Sequence, residues 1–125
     1  MLRELLIIQQ DTPDKRKRWF EDSYFDLFVW QDTQTGEITS FQLCYDRAGT
    51  ERVISWEQYR GFEHQGIDDG ETSPHKNMTP VFIRCNLAIP LALPAHFQLA
   101  SQCIDTLVRS FIRKKLEEYQ SLTNK

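Results

Sequence analysis

Tyr24-Phe25-Asp26-Leu27-Phe28-Val29-Trp30, followed after one residue by Asp32-Thr33-Gln34-Thr35-Gly36 and then by Ile38-Thr39-Ser40-Phe41-Gln42-Leu43-Cys44-Tyr45, is the stretch that decides the fold. Side chains of a strand alternate between two faces, so Phe25, Leu27 and Val29 share one face. Tyr24, Asp26, Phe28 and Trp30 share the other. Phe41, Leu43 and Tyr45 give the second run a common apolar face, and the polar, glycine-ended segment between the runs supplies turn chemistry. The pair reads as a β-hairpin.

Downstream, Asp46-Arg47-Ala48-Gly49-Thr50 is a further turn signal and Arg52-Val53-Ile54-Ser55-Trp56 a third strand. Sequential antiparallel strands usually pair, which makes a meander the most economical topology. Residues 61–79 hold few apolar side chains beyond Phe62 and Ile67, so they predict a short strand followed by a long loop, or irregular chain throughout. Val81-Phe82-Ile83 predicts a short strand, and Leu87 to Leu93, interrupted by Pro90, a buried apolar connector. From Pro94 the apolar residues Phe97, Ala100, Ile104, Leu107, Phe111 and Leu116 recur at three or four positions, which predicts one helix to about Leu122. At 1.5 Å per residue it would be on the order of 40 Å long, so its last turns should project beyond a small domain.

Upstream, the Leu5–Ile8 run predicts a buried strand. Residues 11–18, without an apolar side chain, predict a solvated loop that re-enters the core at Trp19-Phe20. The whole reads as one α+β domain spanning residues 1–125, an antiparallel β-meander of about four to six strands packed against a long C-terminal amphipathic helix.

Composition bounds the functional classes. With 125 residues, 40% hydrophobic and 26% charged, the chain can bury a core without disulfides or metal. The net charge of -3 argues against a surface built to attract nucleic-acid phosphates. No apolar run is long enough for a membrane span, and Leu5–Ile8 is followed by polar residues rather than a cleavage site. Cys44, Cys85 and Cys103 are widely spaced and read as free thiols, which fits the cytosol.

Two constellations suggest chemistry. His64, Asp68, Asp69, Glu71 and His75 place two imidazoles and three carboxylates around a glycine-containing segment, the residue types that bind metals or move protons. Their spacing matches no metal motif, and acidic glycine-containing loops are most often solvated turns. Lys15-Arg16-Lys17-Arg18 before Trp19-Phe20 could grip phosphates and stack a base, but a short run of like charge is more often a solvated segment. Arg109, Arg113, Lys114 and Lys115 read as cations offsetting a helix dipole. Sequence signatures such as GxGxxG, GxxxxGK[ST], HExxH and GxSxG are missing, and the sequence leaves cofactor and metal unknown.

The aromatic content, 12%, exceeds what one helix can cover on a two-faced sheet. Trp19, Trp30, Trp56 and Tyr59 are therefore candidate binding residues. The sequence supports a small cytosolic protein-interaction or ligand-binding protein, homodimeric, with a homo-oligomer or protein partner rather than nucleic acid or membrane. The alternative is a metal-assisted or acid-base hydrolytic enzyme using the His64 to His75 loop.

Overall fold

A computed structural model describes residues 1–6, 8–10, 12–47, 49, 51–68, 81–84 and 88–123, with residues 66–68 and 81–84 described in their backbone alone. Strands β1 (Arg3–Leu5), β2 (Lys15–Glu21), β3 (Phe25–Asp32), β4 (Ile38–Tyr45), β5 (Arg52–Glu57), β6 (Gly61–Asp68) and β7 (Val81–Arg84) precede helices α1 (Leu93–Ala100) and α2 (Thr106–Thr123). The strands form one antiparallel sheet in strict sequence order. The architecture is α+β, a meander with the C-terminal helix on one face.

The central hairpin forms for the reasons its sequence gives. Phe25 opposes Tyr45, Leu27 opposes Leu43 and Val29 opposes Phe41, so six large side chains point to one face in register. Asp32 Oδ1 accepts the N–H groups of Gln34 and Thr35, and Gly36 takes φ +78°, a conformation that favours glycine. These side chains, with Phe20 and Ile54, meet Leu93, Phe97, Ile104, Val108, Ile112, Leu116 and Tyr119 of the helical layer in one core. Val108, Ile112, Leu116 and Tyr119 recur on one stripe of α2, as an amphipathic helix requires.

Several expectations are corrected. Residues 15–18 are not loop: they begin β2, in register with β3 from Lys15 opposite Asp32 to Glu21 opposite Asp26. Alternation sends Arg18 and Phe20 into the core face and Lys15, Lys17 and Trp19 to the other, so the four cations are divided two and two between the faces. The long helix is two. Ser101 caps α1 through its N–H to Phe97 O, and Asp105 Oδ1 accepts the N–H of Leu107 in the first turn of α2. The break lets both segments pack on the sheet rather than one overhanging it. The N-terminal strand is Arg3–Leu5, earlier than the Leu5–Ile8 run, and Leu6 is 86% exposed. In the connector before α1, Ile89 and Leu93 are buried while Leu91 is exposed. β6 is a full eight-residue strand, because its first residues alternate as Phe62 and His64 beneath α2 and Glu63 and Gln65 away from it.

Cys44, on β4, is free as read from the sequence, and it is buried. Cys103 is free but exposed, because it lies in the break between the helices and not on a buried helical stripe. Cys85 lies outside the described residues. The cations of α2 do not sit at its end. Arg113 donates to Gln98 of α1 at 2.7 Å, and Lys115 lies 4.2 Å from the centre of the Trp56 ring, where its stem covers the aromatic edge of the core.

Candidate functional site

The helix-free face of the sheet carries a ladder of three aromatic rings. Trp19 on β2 stands directly across from Phe28 on β3, and the two stack with centroids 5.2 Å apart and planes 22° apart. Phe28 in turn stacks with Trp30, two residues along the same strand, at 6.2 Å and 28°. Lys17, the partner of Trp30 in the register, holds its ammonium 5.1 Å from the Phe28 ring and 5.9 Å from that of Trp30. All three rings are half-buried. Leu5 lies beside Trp19 on β1 and extends the apolar surface.

Polar groups frame the ladder. The indole N–H of Trp19 donates to Asp26 Oδ1. Burial raises the Asp26 carboxyl above its ordinary value, against the lowering effect of that hydrogen bond and of Arg47. Beyond Asp26 the same face holds Cys44 and Val53, both buried. Burial, followed by the nearby Asp26 charge, pushes the Cys44 thiol up to about 12, so this thiol is protonated and unreactive at neutral pH. On the other side of the ladder, Glu57 and Glu63 supply negative charge on β5 and β6.

Of the four aromatic candidates, the structure brings Trp19 and Trp30 together on this face. Tyr59, on the turn between β5 and β6, is 87% exposed. Trp56 belongs to the opposite face, against Phe41 and Phe111 of the core. Tyr24 is not in β3 and leaves the face shared by Asp26, Phe28 and Trp30; it packs on His96 of α1 at 4.4 Å. Phe28, the middle rung, and Lys17 complete the site. Alternation along residues 15–19 was the signal for Lys17, hidden because a run of four cations resembles solvated chain.

The acid-base candidates are placed less fully. His64 is 1% exposed, shares a 2.6 Å hydrogen bond with the Tyr45 hydroxyl through Nε2, and meets the ring of Tyr119 edge-on at 5.8 Å. It is a hydrogen-bonded histidine of the core beneath α2. Asp68 is the last residue of β6, opposite Val81. Asp69, Glu71 and His75 lie outside the described residues. Among the described residues no cluster of three His, Cys, Asp or Glu side chains is placed to hold a metal ion, and no helix is long and apolar enough to cross a membrane.

The site and fold thus define an antiparallel meander with an aromatic ladder on its helix-free face. Comparison of the chain with protein-family models, with curated proteins and with solved structures finds no match.

Proposed function

We propose that this chain is a non-catalytic binding protein of the cytosol that works through the helix-free face of its sheet, with a second copy of itself as the partner. The stacked ladder of Trp19, Phe28 and Trp30 carries this reading. One face of the sheet is used by the core, and the rings on the other face are only half-buried in an isolated copy. Aromatic side chains grouped in this way supply most of the energy of protein contacts. Stacking on one another also occupies ring faces that a flipped-out base would need, which favours a protein surface over a nucleic acid.

Charge supports the choice of partner. Lys15 and Lys17 lie on the β2 side of the ladder and Glu57 and Glu63 on the β5 and β6 side, so the face carries both signs. A symmetric dimer places one patch against itself, and a patch with both signs can satisfy itself. The free thiols of Cys44 and Cys103 fit a reducing compartment.

Sedimentation velocity over about 1–100 μM tests the reading, since that range spans affinities expected of a modest interface. The wild-type chain should shift toward a dimer, and Trp19→Ser with Phe28→Ser should remain monomeric with an unchanged circular dichroism spectrum. A wild-type protein that stays monomeric throughout removes the self-association.

A further inference from the structure

At the end of the sheet, past Trp30, a groove of about 380 Å³ opens between β3, β4 and the turn after β5. We infer that this groove is a binding site for a neutral carbohydrate; it borders the face proposed for pairing and shares Lys15, Trp30 and Glu57 with it.

Its volume lies above the roughly 300 Å³ at which small-ligand sites begin. Two aromatic side chains, Trp30 and Tyr59, line it. Tyr59 is 87% exposed, so core packing gives no reason for a large ring there. The register between β3 and β4 shifts at Trp30 and Gln31, which gives β4 an extra residue beside the groove. Irregularities of this kind re-aim side chains and recur next to binding sites. Here Thr39 is the extra residue, and its hydroxyl donates to Trp30 O at 3.3 Å.

The polar lining selects the ligand's charge. Lys15 and Glu57 both line the groove, so a cation meets the first and an anion the second. Each is already balanced: Lys15 Nζ is 3.8 Å from an Asp32 carboxylate oxygen, and Glu57 Oε1 is 3.9 Å from Arg60 Nε. Lys17 further occupies the cation-attracting surface of Trp30. What remains for a ligand is neutral hydrogen bonding. The side chains of Ser40 and Gln58 line the groove and make no hydrogen bond among the described residues. A sugar ring matches this set, because its C–H face packs on the exposed ring of Tyr59, with Trp30 at the edge of the groove, while its rim of hydroxyls needs amide and hydroxyl partners. A ligand lacking the hydroxyls leaves those groups dry and unpaired, at a cost in affinity.

The test is titration of the full chain with maltotriose, cellotriose and chitotriose, and with adenosine as a planar contrast, followed by proton–nitrogen NMR of the three indole groups. A Trp30→Phe variant assigns the Trp30 signal. At least one trisaccharide at concentrations up to about 10 mM should move the Trp30 signal saturably and leave that of Trp56 in place. Tyr59→Ala, at an exposed turn position that leaves the fold intact, should weaken that binding about tenfold or more. A response unchanged by Tyr59→Ala, or binding of adenosine alone, overturns the inference. The same titration on the Trp19→Ser, Phe28→Ser variant, which does not pair and leaves every groove-lining residue in place, separates a groove covered by a second copy from one without affinity for sugar: no response there overturns the inference whatever sedimentation shows.

Discussion

Arg18 sits on the core face of β2, where a cation is costly unless its hydrogens are satisfied. Its Nε and Nη2 donate to the two oxygens of Glu4, each at 2.8 Å, and its Nη1 donates to Asp105 at 3.0 Å and to Gln31 at 3.2 Å. The hydrogen bond to Glu4, helped by Asp105, raises its pKa against the opposing effect of burial. Arg18→Met should cost about 1–2 kcal/mol in urea unfolding, because it strands the half-buried Glu4 carboxylate and removes the link to the exposed Asp105, whereas Arg16→Met at an exposed position should change stability by less than about 0.5 kcal/mol. Asp26 carries the opposite sign. Its carboxyl is raised by burial, so the folded state holds the proton more tightly and ionisation weakens folding as pH rises through the folded value. Asp26→Asn keeps an oxygen for the Trp19 indole and removes the charge; it should raise stability at pH 7 by several tenths of a kcal/mol or more. Denaturation at successive pH values should show that gain shrinking as pH falls through the carboxyl range. None of this could be read from Lys15-Arg16-Lys17-Arg18 alone, since the carboxylates that make a buried arginine tolerable come from β1 and from residue 105.

The same Asp105 explains why one long helical pattern became two helices. Apolar residues continue at helical spacing through Ile104, and no glycine or proline marks the break, so periodicity alone favours a single rod. The break rests on a local competition: Asp105 caps α2 through the Leu107 N–H at 2.9 Å and simultaneously receives Arg18 from the sheet. Arg18 first, then the Leu107 N–H, hold the Asp105 carboxyl below its ordinary value. Its stabilising contribution is therefore present above the unfolded value of about 3.9 and is lost as pH falls through the lower folded value. Asp105→Asn should retain the cap and flatten that acid loss, and Asp105→Ala should cost about a further 1 kcal/mol by removing the cap as well, both measured by denaturation between neutral and acid pH. The strands β3 and β4 stood at the other extreme of legibility. Their alternation, aromatic and β-branched content and Asp-to-Gly turn all favour the same hairpin, although nothing in the sequence marks the register shift at Trp30 and Gln31.

At the scale of the whole molecule, every strand pairs with its sequence neighbour, so a meander inferred from one hairpin extends correctly across the described sheet. The functional surface was less accessible to sequence reasoning. Trp19, Trp30 and Trp56 are equivalent as residue types, but only the register of the four strands β2 to β5 shows that Trp56 lies under α2 while the other two share the helix-free face. If two copies pair through that face, folding and association are linked, and the melting temperature should rise by roughly 2–5 °C for each tenfold increase in protein concentration. The Trp19→Ser, Phe28→Ser variant should show no such dependence by scanning calorimetry. The N–H of Leu2 donates to Ala100 O at 2.7 Å, and Arg18 closes on Asp105. Strand β1 therefore pairs with β2 locally, but two of the bonds that hold that edge of the sheet reach it from residues 100–105, about a hundred positions later. Strand β1 is thus locked only when the far end of the chain arrives, and removing residues 101–123 should leave it open to protease.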